Sequence, residues 1–205
     1  MKYIDEKESE DFLEREGFDV VSRSFCSNKR NLDKSLQFVG APFVMKVAGK
    51  KIIHKNKLSG VRLNINNYSE ALEEFNSLKK IKGAEGVLIQ RKVKFDKEFL
   101  IGIKKTPEFG HVLVFGRGGT DVEEEKDVSF RVCPLDKLDI KKMIKDTQVS
   151  RGMLEKEGKI LEEVILKICK LVEKYPNISE LDINPLVIVD EKDLILDARM
   201  VGWRE

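Results

Sequence analysis

The stretch Ala41–Asn64 places two strand-like runs on either side of a strongly cationic loop. The first run, Phe43–Val47, is apolar at nearly every position except Lys46 and predicts a largely buried strand. An ammonium group inside such a run costs free energy unless it meets a fixed anion. The second run, Val61–Ile65, alternates apolar and polar residues, which is typical of a strand with one buried face. The stretch therefore predicts two sheet strands with a positive charge that needs an anionic partner.

The loop between these strands contains His54 among the lysines of the same stretch. An imidazole at the end of a loop can act as a nucleophile toward a phosphoryl group, and neighbouring lysines would neutralise the phosphate charge. A solvated turn would have the same composition. The residues of the loop alone leave both interpretations open.

The charge balance excludes several classes of protein. With 38 basic and 36 acidic residues the net charge is +2, which argues against a dedicated nucleic-acid binder. No apolar run approaches the ~20 residues that span a bilayer, and the first residues lack the apolar segment of a signal peptide. Three widely spaced cysteines do not predict a disulfide framework. We therefore expect a cytoplasmic protein that binds neither nucleic acid nor membrane.

Hydrophobic periodicity predicts helices and strands in irregular alternation. The predicted helices are Ile4–Glu16, Leu32–Val39, Tyr68–Lys80, Lys137–Asp146 and Met153–Tyr175. The remaining predicted strands are Phe18–Phe25, Val87–Val93, Glu98–Lys105, Val112–Phe115, Asp127–Pro134, Leu181–Val189 and Leu194–Val201. Because the order shows no regular strand–helix–strand rhythm, the sequence favours an α+β fold over a doubly wound sheet.

The last two predicted strands bring oxygen-bearing side chains together. Asp182 and Asn184 are two positions apart, so they share one face of a strand. A symmetric four-residue turn over Asp190–Asp193 would place Asp197 on that same face, diagonal to Asn184 and ~7–8 Å away. One Mg²⁺ ion could join two such oxygens, with nucleotide phosphates completing its ligands. A solvated polar face is the alternative interpretation.

A glycine-rich segment, Gly116–Gly119, directly follows a predicted strand. Residues without a Cβ allow positive φ angles and a close approach of backbone N–H groups to a phosphate. The segment matches neither the dinucleotide fingerprint nor the P-loop pattern, and an ordinary turn would also use glycine.

Five blocks in order resemble the nucleotide-binding (β) subunit of ADP-forming acyl-CoA synthetases, a family with an ATP-grasp fold that is related to succinyl-CoA synthetase. The blocks are VMKVAGKKIIHKNKLSGVRL, GVLIQRKV, EFLIGIKKTPEFGHVLVFGRGG, EKDVSFRVCPL, and SELDINPLVI followed by LDARMV. The resemblance implies a single ATP-grasp domain over residues 1–205, with a small lobe (19–90) and a large lobe (1–18 and 91–205) enclosing a nucleotide cleft.

The resemblance also implies a role for each candidate residue. The residues expected to contact ADP or ATP are Lys46 (phosphates), Gln90, Arg91 and Val93 (adenine, through the backbone), Glu98 (ribose), and Gly118 and Gly119 (near the phosphates). Asn184 and Asp197 would hold Mg²⁺. His54 would be phosphorylated transiently, and Asp182 would approach the phosphohistidine.

The implied reaction is the reversible conversion of acyl-CoA, phosphate and ADP into free acid, CoA and ATP, catalysed together with a CoA-binding α subunit. Several positions depart from the family pattern: Lys57 replaces an Asp, Ser59 a Gly and Arg91 a Glu. Around the glycine segment, Arg117, Thr120 and Asp121 replace apolar residues. Two alternatives therefore stay open. One is an ATP-grasp carboxylate–amine or carboxylate–thiol ligase without a phosphohistidine, and the other is a non-catalytic nucleotide-binding subunit.

Overall fold

The computed structural model describes residues 3–50, 52, 55, 58–119 and 127–202. Its helices are α1 (Glu6–Arg15), α2 (Leu32–Val39), α3 (Tyr68–Leu78), α4 (Lys137–Lys145) and α5 (Glu155–Lys174), with a short 3₁₀ helix at Lys29–Asn31. Its strands are β1 (Tyr3–Ile4), β2 (Arg23–Cys26), β3 (Phe43–Ala48), β4 (Val61–Ile65), β5 (Gly86–Arg91), β6 (Phe99–Thr106), β7 (Gly110–Arg117), β8 (Val128–Val132), β9 (Glu180–Val189), β10 (Lys192–Ile195) and β11 (Ala198–Val201).

The chain divides into two compact units. The larger unit comprises residues 1–20 and 95–205, and the smaller unit comprises residues 21–94. Helices and antiparallel sheets are mixed in both units, so the fold is α+β. None of the helices in the described ranges is long and apolar enough to cross a membrane.

The larger unit is built on an antiparallel seven-stranded sheet in the order β1-β11-β9-β6-β7-β8, with β10 also paired to β9. Alternate residues of its strands, such as Ile101, Leu113 and Ile183, are buried against the helices in one hydrophobic core. The apolar stripe of α5 fills much of that core with Leu161, Val164, Ile165, Ile168, Leu171 and Val172. The opposite face of the same strands is mixed: it carries Asp182 of β9 but also Phe130 and Val132 of β8, which are exposed.

The smaller unit is an antiparallel four-stranded sheet in the order β2-β5-β3-β4. Phe43, Met45 and Val47 of β3 point into a core shared with α2 and α3. Side chains alternate along a strand, so Lys46 belongs to the other face of the sheet. Asn67 caps α3 by accepting a hydrogen bond from the N–H of Glu70, as expected for an Asn at this position.

The predicted helices are all present, with ends that differ by one or two residues. Two strand predictions need correction. The strand expected over Phe18–Phe25 is shorter and later, Arg23–Cys26, with an isolated bridge from Val20 to Ile195. The strand expected over Leu194–Val201 is interrupted at residues 196–197, between β10 and β11.

Candidate functional site

The glycine-rich segment at the end of β7 is held tightly against β6. The N–H of Gly118 donates to the carbonyl of Glu98 at 2.8 Å. A Cβ at Gly118 would lie 2.7 Å from the backbone of Phe99, so no larger residue fits without movement. Gly119 has a φ of +98°, and a Cβ there would meet the Glu98 carboxylate at 2.4 Å. Close packing against the Phe99 backbone therefore requires glycine at position 118, and the positive φ favours it at position 119.

The Asn184 side chain joins this glycine segment to β9. Its Oδ1 accepts the N–H of Gly119 at 2.8 Å, and its Nδ2 donates to the carbonyl of Gly119 at 3.2 Å. The two hydrogen bonds fix the orientation of the amide and bring together two motifs that are 65 positions apart. Sequence reasoning treated these motifs separately, because no local pattern reports a contact of this range.

The hairpin turn that precedes β10 differs from the expected one. Val189 pairs with Lys192, so the turn has two residues, Asp190 and Glu191, with φ angles of +50° and +60°. Two consecutive positive φ angles are characteristic of a type I′ turn. The prediction of a four-residue turn, which would have paired Val189 with Leu194, was wrong. The sequence did not indicate a two-residue turn, because it lacks the Asn-Gly or Asp-Gly pair that usually marks type I′.

The predicted common face of the hairpin nevertheless exists. Leu186 pairs with Ile195 and Ile183 with Ala198 in one register, so Asp197 falls opposite Asn184. The register error was two residues, and β9 is irregular between Ile183 and Leu186, so that both of these side chains are buried in the core. The N–H of Asn184 also donates to the carbonyl of Asp197 at 3.1 Å. The two residues are thus direct neighbours, where the sequence predicted diagonal ones.

Asp182 and Arg199 occupy the next cross-strand pair on this face. The surrounding protein desolvates the Asp182 carboxyl although part of the side chain reaches solvent, and this raises its pKa; repulsion from Asp197 adds to the effect and Arg199 opposes it. Arg199 Nε lies 3.8 Å from Asp197 Oδ1, and its guanidinium also hydrogen-bonds with Tyr3. Arg199 was missed in the sequence because an arginine on a strand carries no signal of its neighbours.

Asn184 and Asp197 together offer two oxygen ligands to a hard divalent cation, which is fewer than its full coordination shell requires. Within the described ranges there is no group of three His, Cys, Asp or Glu side chains that could hold a metal ion. One amide and one carboxylate oxygen are the small protein share that Mg²⁺ accepts when phosphates or water supply the other ligands.

A surface cavity of about 320 Å³ adjoins the glycine segment in the larger unit. It is lined by Phe95, Asp96, Lys97, Glu98, Arg117, Gly118, Gln148, Val149 and Arg151. Two of the candidate residues, Glu98 and Gly118, therefore border one concave surface, with Asn184 bound to the next residue of the loop.

The smaller unit brings together two other candidates. Lys46 pairs with Leu88, and Val44 pairs with Gln90, so Lys46 and Gln90 lie diagonally on the same face of the sheet. Their exposed fractions are 8% and 3%. Arg91 pairs with Phe43 and its side chain is exposed, so it belongs to the opposite face from Lys46. Val93 is half-buried just beyond the end of β5.

His54 and Lys57 lie outside the described residues. The described residues of the same loop are hydrogen-bonded to one another and to β3. The carbonyl of Lys55 accepts the N–H of Gly60 at 2.7 Å, and the carbonyl of Gly60 accepts the N–H of Val47 at 2.8 Å. Ser59 has a φ of +48°, a conformation that favours glycine. The serine therefore occupies a position where the glycine of the family pattern would be less strained.

Comparison with known proteins agrees with this architecture. A family model described as an ATP-grasp domain matches residues 1–201. The β subunit of ADP-forming acetate–CoA ligase I from Pyrococcus furiosus is 34% identical, over 96% of this chain and 90% of its own length. ADP-forming acetate–CoA ligase II from Archaeoglobus fulgidus is 35% identical over 96% of this chain, which spans only 30% of that protein.

A solved structure shows the same fold. The dinucleotide-forming acetyl-coenzyme A synthetase 1 of Candidatus Korarchaeum cryptofilum was solved with coenzyme A and Mg-AMPPCP, with its phosphohistidine segment pointing towards the nucleotide binding site. It aligns with a TM-score of 0.82 and 26% identity, covering 98% of this chain and 93% of that chain.

Proposed function

This chain belongs to the ATP-grasp family, in the group that contains the β subunits of ADP-forming acetate–CoA ligases, and we propose that it acts as such a subunit. In this proposal it binds ADP or ATP with Mg²⁺ and relays a phosphoryl group through His54. The observation that carries the proposal is the direct pairing of Asn184 with Asp197 beside the glycine segment.

The residues of the larger unit would prepare a surface for the nucleotide phosphates. Asn184 and Asp197 would hold Mg²⁺, which when bound supplies positive charge against the phosphate oxygens. The N–H groups of Gly118 and Gly119 already donate to Glu98 and Asn184. We therefore assign to these glycines a role of shape: they keep side chains away from Asn184, so that a phosphate can approach it closely.

Lys46 would provide the main cationic contact of the smaller unit. Its ammonium group lies on a face of the sheet that also holds Gln90, and only 8% of the residue is exposed. A nucleotide phosphate would be an anion suited to such a buried charge. The exposed Arg91 side chain lies on the other face, so its replacement of the family's Glu would leave the backbone contacts to adenine intact.

His54 would carry the phosphoryl group between two partners. A bond would form between a nitrogen of the His54 imidazole and phosphorus as the nitrogen–phosphorus bond of a phosphohistidine on the α subunit breaks. In the next step the nitrogen–phosphorus bond breaks as a terminal ADP oxygen bonds to phosphorus, giving ATP and a free imidazole. Such a transfer needs positioning and charge neutralisation more than covalent chemistry from other groups. Asp182 would lie beside the imidazole and orient it.

The partner would be a CoA-binding α subunit. The Pyrococcus relative is named as a β subunit and has nearly the length of this chain, whereas the Archaeoglobus relative is more than three times as long. The acyl-phosphate and CoA chemistry would belong to the part of the enzyme that this chain does not contain. The acyl group would be chosen there.

The decisive experiment is phosphorylation of the chain, copurified with its α subunit, by Mg²⁺ and ATP labelled at the γ-phosphate. We expect a label that is lost in acid and kept in alkali, the behaviour of a phosphohistidine. His54→Ala should abolish the label. His111→Gln is the matched control, because His111 is the other histidine of the chain and its Nε2 is engaged by the carbonyl of Ile178 at 2.8 Å.

Each other outcome selects a different function. A label that persists in His54→Ala would exclude the relay. Partial synthetase activity in His54→Ala together with none in Lys46→Ala would indicate a carboxylate ligase with a free acyl-phosphate. No binding of ADP or ATP by calorimetry in the presence of Mg²⁺ would indicate a non-catalytic subunit.

A further inference from the structure

Two cysteines that the proposed phosphoryl chemistry does not use meet inside the larger unit. Sγ of Cys133 lies 2.9 Å from Sγ of Cys169, although 36 positions separate them in sequence. Cys133 directly follows β8, and Cys169 lies in α5. A covalent S–S bond is about 2.05 Å long, so a small movement would suffice to join these sulfurs. The sequence spacing gave no indication of the pair.

Both cysteines are fixed by their surroundings, Cys133 by a backbone hydrogen bond and Cys169 by packing in the core. The N–H of Cys133 donates to the carbonyl of His111 at 2.8 Å and so continues the ladder between β7 and β8. Cys169 is only 3% exposed and belongs to the hydrophobic core, whereas Cys133 is half-buried. Fixed groups in contact react as if at a very high local concentration. Because Cys133 is only half-buried, a small oxidant can reach its sulfur from the surface.

The two thiols share one hydrogen bond, and either sulfur can be its donor. Once one sulfur is oxidised, the other is therefore already in position to attack it.

The pair is better suited to oxidation than to metal binding. A tetrahedral metal site needs three or four ligands, and the described residues contain no group of three His, Cys, Asp or Glu side chains. Cys26, the third cysteine, is fully buried, and its thiol donates to the carbonyl of Asn28 at 3.1 Å. It therefore has no sulfur partner of this kind among the described cysteines.

We propose that Cys133 and Cys169 are an oxidation site that closes reversibly to a disulfide when the protein meets hydrogen peroxide. Cys133, the half-buried sulfur, loses its proton and attacks one peroxide oxygen; an S–O bond forms, the O–O bond breaks, and hydroxide leaves and takes up a proton as water. Cys169 sulfur then attacks Cys133 sulfur; the S–S bond forms, the S–O bond breaks and a second water leaves. Two thiols and one peroxide thus give one disulfide and two waters.

The disulfide would crosslink a part of the chain that lies beside the glycine segment. The disulfide would enclose α4, the following loop and most of α5. In that loop the N–H groups of Gln148 and Val149 donate to the Asp127 carboxylate at 2.6 and 2.7 Å. The carbonyl of Asp127 in turn accepts the N–H of Arg117 at 3.0 Å. Because a crosslink restricts the unfolded chain, we expect oxidation to raise the thermal midpoint by about 5–15 °C.

The test is oxidation of the full-length, copurified protein with hydrogen peroxide, followed by thiol counting after denaturation and by peptide mapping without reductant. We expect free thiols to fall from three to one, with a mass loss of about 2 Da. The crosslinked peptide should join Cys133 to Cys169, and dithiothreitol should restore all three thiols. The mapping uses the natural sequence, so it does not depend on whether a variant folds.

Matched variants identify the sulfurs involved. Cys26→Ser should still lose about 2 Da, whereas Cys133→Ser and Cys169→Ser should not. Three free thiols after peroxide treatment, a crosslink that contains Cys26, or oxygen addition to one sulfur without a crosslink would each overturn the proposal. None of these outcomes bears on the phosphohistidine label, so the two proposals are tested separately.

Discussion

Glu16 shows how a single side chain ties two distant helix ends together. Its Oε2 lies 2.7 Å from Lys174 Nζ, and its Oε1 accepts the Tyr175 hydroxyl at 2.6 Å. Only 17% of the Glu16 side chain is exposed. The hydrogen bond from Lys174, followed by the one from Tyr175, lowers the pKa of this carboxyl below its ordinary value. Such a carboxylate stabilises the folded state only while it is ionised.

We predict that Glu16→Gln lowers the free energy of unfolding at pH 7 by ~1 kcal/mol, because charge-assisted hydrogen bonds are lost. The folded pKa is lower than the unfolded one, so this contribution is fully present above the unfolded pKa of ~4.3. It disappears as the pH falls through the folded pKa. Denaturant unfolding at pH 7 and pH 3 measures the difference. Tyr175→Phe removes the hydroxyl but keeps the pair of Glu16 with Lys174, and it should cost less at pH 7. An equal Glu16→Gln effect at both pH values would contradict the explanation.

At the scale of elements, the β9–β10 hairpin combines an unusual turn with an important register. Asp190 and Glu191 adopt positive φ angles that residues with a Cβ disfavour. The turn sets the register that places Asp197 opposite Asn184. Lys156 of α5 lies 2.6 Å from Glu191, an exposed ion pair across the surface. The hairpin thus has a strained turn, and the strand register that follows from this turn places Asp197 opposite Asn184.

We predict that Glu191→Gly raises the thermal midpoint by about 2 °C, because glycine adopts a positive φ without the steric penalty of a Cβ. The substitution also removes the exposed pair with Lys156, which contributes little in water. Glu191→Ala is the matched control: it removes the same pair but keeps the Cβ, so its midpoint should not rise. If the glycine and alanine variants melted at the same temperature, backbone strain would not be the cause. Differential scanning calorimetry makes the comparison.

At the scale of the whole molecule, the candidate residues are divided between the two units. Lys46 and Gln90 belong to the smaller unit, whereas Asn184 and Asp197 belong to the larger one. Each unit has its own hydrophobic core and presents its candidates on a sheet face that the core does not use. In the proposed function both sets act on one nucleotide. That proposal has a measurable consequence for affinity.

We predict that Lys46→Met and Asp197→Asn each weaken Mg²⁺·ADP binding by about 10- to 100-fold, the effect of losing one contact to a charged group. Without Mg²⁺, Asp197→Asn should bind ADP as the natural protein does, whereas Lys46→Met should still bind it more weakly. Lys34→Met, at an exposed position of the same unit, is the control and should change nothing. Titration calorimetry with and without Mg²⁺ separates the cases. A Lys46→Met variant of unchanged affinity would remove the smaller unit from the site.

The local pattern of apolar and polar residues determined the helices, most strands and the common face of Asp182 and Asn184. Each of these depends on side chains within a few positions, and strand and helix periods make such relations readable. Asp197 was predicted to lie near Asn184 from a wrong turn, and the pairing of β9 makes the two residues direct neighbours. The α+β class followed from the order of the elements. The family resemblance added the roles of single residues, which no periodicity could supply.

Tertiary structure alone decided the contacts between distant segments. The hydrogen bonds of Asn184 to Gly119, the position of Arg199 beside Asp197 and the meeting of Cys133 with Cys169 join residues from different strands and helices. The two-residue turn also belongs here, since its positive φ angles arise although neither residue is a glycine. Such features depend on how the sheet pairs and how α5 packs on it. Pairing and packing are properties of the whole core, so no short stretch of sequence encodes them.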